Sequence, residues 1–102
     1  MLKTSMEFKR GILFIRLKGD LNKNTIRGVI DRDFKYIVLN IDDMYSIDSY
    51  SIKYLNKIYR LYENNNNKFI ICDKFNVSRK LLKDIPKINR EYDAFELLER
   101  MI

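Results

Sequence analysis

Tyr36-Ile37-Val38-Leu39-Asn40-Ile41-Asp42-Asp43-Met44-Tyr45-Ser46-Ile47-Asp48-Ser49 is the stretch on which the fold turns. Tyr36 to Ile41 is β-branched and apolar between polar flanks, the pattern of a strand buried on both faces. Asp42-Asp43 reads as a turn after it. From Ser49 to Tyr62 the period changes: Ile52, Leu55, Ile58, Tyr59 and Tyr62 recur at steps of three and four, which is the stripe of an amphipathic helix. Asp48 or Ser49 suits its N-cap. A buried strand therefore leads through a polar loop into a helix that has one apolar face.

Upstream, Met6 to Lys9 alternates, Arg10-Gly11 is turn chemistry, and Ile12 to Leu17 is a second strand, so the two read as a hairpin. Gly19 to Thr25 reads as a loop, with Asn24 or Thr25 capping a helix of about two turns over Thr25 to Arg32. Downstream, Asn64 to Asn67 ends the long helix, since asparagine tolerates the left-handed backbone of helix termini. Lys68 to Cys72 is another core strand, and Val77 to Leu82 begins a short helix that Ile85-Pro86 stops. Glu91 to Met101 forms a last helix, with Tyr92, Phe95, Leu98 and Met101 on one face. The order β-β-α-β-α-β-α-α predicts an α/β fold with a mixed sheet carrying helices.

The 102 residues suffice for a single domain, 1–102, with one core. A hydrophobic share of 46% beside 33% charged residues is a globular balance, not a disordered one. The apolar runs are far shorter than the ~20 residues of a membrane helix, so no membrane insertion is expected. Met1 to Met6 lacks the apolar core of a signal peptide, which leads to the expectation of a cytoplasmic protein. The net charge of +6 comes from 20 Lys and Arg spread along the chain among acids, a solvated surface more than a nucleic-acid footprint.

Several chemistries lack their residues. There is no His, the commonest general base and metal ligand. One Cys cannot build a thiolate zinc site, and Cys72 sits in an apolar strand where burial makes a thiol inert. Gly11, Gly19 and Gly28 form no phosphate loop. We expect no enzyme, no metal and no cofactor.

Three segments resemble the STAS family of bacterial anti-sigma factor antagonists. Ile15-Arg16-Leu17-Lys18-Gly19-Asp20-Leu21 is similar to the family's strand and the Gly-(Glu/Asp)-Leu-Asp element that follows it. Tyr36 to Ser49 is similar to its central strand and the loop reaching Asp-Ser-(Ser/Thr)-Gly. Lys68 to Cys72 followed by Val77 to Leu82 is similar to the next strand and helix, and Asn66-Asn67 stands where Gly-Gly is common. The resemblance covers about four-fifths of the chain. It implies the STAS fold, a mixed four- to five-stranded sheet with helices packed mainly on one face.

It also implies a function. In the family the serine after the aspartate is phosphorylated by an anti-sigma factor that is also a serine kinase, and a serine phosphatase resets it. Carried over, the phosphorylation site is Ser49, and the partner-binding surface comprises Asp20, Asn22, Asp48, Ser49, Tyr50 and Ser51. The sequence departs from the motif at Tyr50, in place of Ser or Thr, and at Ser51, in place of Gly. The segment Thr25 to Tyr36 is also roughly ten residues shorter than usual. Ser49 thus reads either as phosphoacceptor or as a plain helix cap. The chain reads either as a switched antagonist in transcription regulation or as a non-phosphorylated STAS scaffold, a subunit of a signalling complex or of a lipid-transport ATPase.

Overall fold

The computed structural model describes residues 1–75 and 82–102. Strands β1 (Leu2–Lys9), β2 (Ile12–Leu21), β3 (Tyr36–Ile47), β4 (Lys68–Cys72) and β5 (Lys87–Ile88) form one sheet in the order β1-β2-β3-β4-β5. β1 pairs antiparallel with β2, and every other pairing is parallel, so the sheet is mixed. The helices among the described residues are α1 (Ser49–Asn64) and α2 (Glu91–Glu99). The hairpin turn has positive φ at both Arg10 (50°) and Gly11 (85°), the backbone that matches the twist of the strands it joins.

Side chains alternate across the central strands and split the interior in two. Leu13, Ile15, Ile37, Leu39, Phe69 and Ile71 point to the face covered by Leu55, Ile58 and Tyr62 of α1. Ile12, Phe14, Val38, Ile70 and Cys72 point to the other, covered by Ala94 and Leu98 of α2. α1 and the irregular segment of residues 22–34 cover the first face, so with α2 on the other the two described helices lie on opposite faces and not mainly on one as expected. α2 closes the second. Its buried stripe is Ala94 and Leu98, with Phe95 half-buried, and not the expected series: Tyr92 is 60% exposed and Met101 50%. The helix ends at Glu99, and Glu91 at its start bonds Arg16 and Asn40, which rotates Tyr92 outward.

β3 runs six residues past its expected end. Arg16 pairs with Asn40 but Lys18 with Asp43, and Gly19 with Met44 but Asp20 with Ser46. β3 thus holds an extra residue at two places, and such bulges reset which face a side chain meets. Ile41 and Met44 both reach the α1 core because of the first one. Asp42-Asp43 is therefore inside a strand, not a turn. The Asp42 N–H donates to Asn40 Oδ1 at 2.9 Å, and Asp42 Oδ1 accepts the Lys74 N–H at 2.8 Å.

The expected helix over Thr25 to Arg32 does not form; residues 22–30 are successive turns. Gly28 at φ +84° breaks any helical path, and Asp31 Oδ1 takes the Asp33 N–H in a local turn. Ile26, Val29 and Ile30 are buried nonetheless. The helix expected over Val77 to Leu82 lies outside the described residues apart from Leu82, which is buried.

Candidate functional site

The site implied by Asp48-Ser49 forms where β2 and β3 end side by side and α1 begins. Asp48 has extended backbone (φ −88°, ψ 171°), and its Oδ1 accepts the Ser51 N–H at 2.8 Å. It is the N-cap, satisfying one of the free donors of the first turn. Oδ2 accepts the Lys23 N–H at 3.1 Å, and the Asp48 N–H donates to the Leu21 carbonyl at 3.0 Å. Hydrogen bonds from the Ser51 backbone above all hold this carboxyl below its ordinary value, burial opposing.

Asn22 organises the neighbouring loop. Its Oδ1 accepts the Asn24 N–H at 2.9 Å, and its carbonyl accepts the N–H groups of Thr25 at 3.0 Å and Ile26 at 2.8 Å. Thr25 Oγ1 accepts the Asn22 N–H at 2.9 Å and donates to the Asp20 carbonyl at 3.0 Å. Asp20 Oδ1 accepts the Ser46 hydroxyl at 2.7 Å, the main reason its carboxyl sits below its ordinary value. Asp20, Asn22, Asp48, Ser49 and Tyr50 thus come together on one end of the sheet.

Ser49 is exposed on the first helical turn. The free N–H groups and dipole there tolerate negative charge. Tyr50 is 40% exposed and lines, with Lys23, Asn24 and Arg27, an open hollow of about 440 Å³. Arg27 and Tyr50 share this hollow, and the tyrosine raises the Arg27 pKa. Ser51, expected on the partner-binding surface, is fully buried. As the third helical residue it faces the core, so its side chain cannot reach a partner. Lys23, Asn24, Arg27 and Ser46 are additions that the sequence did not flag. Asn22-Lys23-Asn24 carried a turn signal, but nothing in the chain tied Arg27 to Tyr50.

Cys72 is fully buried, and burial chiefly pushes its thiol up to about 12. Among the described residues no cluster of His, Cys, Asp or Glu could hold a metal ion, and no helix is long and apolar enough to cross a membrane.

No protein-family model matches the chain, and no curated protein matches it in sequence. Solved structures do. The anti-sigma factor antagonist SpoIIAA in its unphosphorylated form aligns at a TM-score of 0.71 and 18% identity, covering 97% of each chain. An anti-sigma factor antagonist from Mycobacterium paratuberculosis gives 0.71 at 15% identity, over 95% of this chain and 93% of its own. A candidate antagonist of the same kind from Thermotoga maritima gives 0.79 at 15% identity, over 95% of each. With its mixed five-stranded sheet and the helix following β3, the chain has the STAS fold that these anti-sigma factor antagonists share.

Proposed function

We propose that the chain is an anti-sigma factor antagonist, a binding protein and not an enzyme. Its partner is an anti-sigma factor that is also a serine kinase, docked on the surface around Asp48-Ser49. Phosphorylation of Ser49 is the switch, and a serine phosphatase reverses it. The observation that carries this reading is an exposed Ser49 on the first turn of α1, directly after the capping Asp48. A phosphoserine adds about two negative charges at pH 7. At that position the helix terminus accepts them, so the fold survives while the docking surface gains bulk and repulsion beside Asp48. Incubation with a kinase-type anti-sigma factor and ATP, read by intact mass, tests it. One added phosphate that is absent from Ser49→Ala is the expected result.

The second reading, a STAS scaffold that binds without phosphorylation, is favoured by Tyr50. Its ring stands next to Ser49 and shares a hollow with Arg27, which narrows the approach of a kinase active site. Binding of the same partner with no phosphate transferred would select this reading.

A further inference from the structure

β1 is an edge strand of eight residues whose only sheet partner among the described residues is β2. All of it but Leu2 is exposed, and its register with β2 is unbroken from Leu2 to Lys9. It contains no proline, and no bulge interrupts it, two of the devices that stop an edge from pairing with another chain; a third, charge, is present at Lys3, Glu7 and Lys9 but in both signs. On the face it shares with the α1 core, Met6 is 48% and Phe8 60% exposed.

We infer that β1 pairs with β1 of a second copy of this chain, antiparallel about a two-fold axis through Ser5. Three steps lead to that register. In a two-residue hairpin the residues flanking the turn, here Lys9 and Ile12, exchange both backbone hydrogen bonds. Alternation then directs the backbone groups of Lys3, Ser5, Glu7 and Lys9 toward β2 and those of Leu2, Thr4, Met6 and Phe8 outward. An antiparallel ladder must set outward residues against outward residues, so a symmetric pairing centres on Thr4, Ser5 or Met6.

Charge chooses among the three. Centred on Met6, Lys3 opposes Lys9 of the other copy, a like-charge pair. Centred on Thr4, Lys3 meets Ser5 and Glu7 meets Met1, so no charged side chain of the strand finds one of opposite charge. Centred on Ser5, Lys3 opposes Glu7 twice over, and Leu2 opposes Phe8 and Thr4 opposes Met6. Glu7 Oε1 already accepts Arg16 Nη2 at 2.9 Å, while Oε2 has only a loose 3.9 Å contact with Lys9, leaving it open to the incoming lysine. The apolar side chains of both copies then meet on one face of a continuous sheet. The occupant is another copy, because the strand complements itself. The interface is a strand pair without a packed core, so the dimer is weak and concentration-dependent. It lies on the edge strand and does not involve Ser49.

Cysteine trapping reads the register. Two Ser5 residues facing across the axis form a non-hydrogen-bonded pair with Cα atoms about 4.5 Å apart, within the range a disulfide spans. Ser5→Cys should give a covalent dimer on mild oxidation, faster than Thr4→Cys or Met6→Cys; buried Cys72 does not compete. In the Ser5→Cys background, adding Lys3→Glu or Glu7→Lys alone should slow trapping about tenfold, since each creates two like-charge pairs. Mixing those two variants restores both opposite pairs and should restore the rate. Fastest trapping at position 4 or 6, no rescue on mixing, or a monomer at every concentration by sedimentation equilibrium would overturn the inference. The last result would leave β1 to an extended segment of a different protein.

Discussion

Asp48 and Lys23, twenty-five residues apart in sequence, are joined by a 3.1 Å hydrogen bond from the Lys23 backbone N–H to Asp48 Oδ2, while the other carboxylate oxygen caps α1. One side chain thus sets both the helix start and the loop beside it. Asp48→Ala should lower the melting temperature by about 4–8 °C, the equivalent of one lost cap in a domain this size. Hydrogen exchange should rise at Lys23 and Ser51 together; a rise at Ser51 alone would mean that the loop holds itself.

Leu55 has no exposed surface and packs between α1 and the central strands. Leu55→Ala should cost about 2–5 kcal/mol in denaturant unfolding, because the rigid sheet opposite cannot collapse into the space. A loss under 1 kcal/mol would show that the α1 face repacks freely.

Ser49→Asp should leave the melting temperature nearly unchanged and, under the proposed function, weaken binding to a kinase-type anti-sigma factor. Unfolding by several degrees with binding intact would assign Ser49 to the helix end alone. Tyr50→Ala should weaken the same binding by about 2 kcal/mol if the ring is an anchor. Calorimetric titration with the partner measures both.

Glu91 gives α2 its hold on the sheet. Its Oε1 accepts Arg16 Nη2 at 2.7 Å, and its Oε2 accepts Arg16 Nε at 2.9 Å and Asn40 Nδ2 at 2.7 Å. Burial works to raise its pKa, but the bonds from Arg16 and Asn40 prevail and lower it. A carboxyl lowered on folding contributes stability above its unfolded pKa, about 4.3, and that contribution disappears as the pH falls through the folded value. Glu91→Gln should therefore cost about 1–2 kcal/mol at pH 7, partly screened because the Arg16 side chain is 41% exposed, and should flatten the loss of stability below about pH 4. A parallel acid curve would remove Glu91 from the account.

Cys72 should resist a thiol reagent at pH 8 in the folded protein and react fully in denaturant, since burial holds its thiol near 12. Rapid native labelling would mean that α2 opens from the sheet.

Elements whose signals are local were legible in the sequence. The stripe of Leu55, Ile58 and Tyr62, the cap at Asp48 and the stop at Asn66 (φ 58°) all depend on neighbours a few residues away. Features set by distant partners were not legible. Asp42-Asp43 looks like a turn until Lys18 and the Lys74 N–H are seen to pair with that stretch. β5 is a strand only because Ile71 and Cys72 accept it as a neighbour. Buried Ile26 and Val29 suit a helix or a packed turn equally, and the φ of Gly28 decided between them. The motif was enough to group Asp20, Asn22 and Asp48, which share one end of the sheet, but the inward Ser51 and the hollow shared by Arg27 and Tyr50 depend on how α1 seats against the loop.

The double tether of Asp48 also constrains how any modifying enzyme must read this protein. Ser49 is already wound into a helix whose first turn is pinned to a second loop, so the residues around it offer no extended strand to thread through a peptide-binding cleft. An enzyme acting there would have to recognise a three-dimensional epitope drawn from two separate stretches of chain. A short synthetic peptide spanning residues 44–54 would then be a poor substrate however well its sequence matched. Fidelity among parallel signalling routes would follow from shape, without any need for distinctive flanking residues.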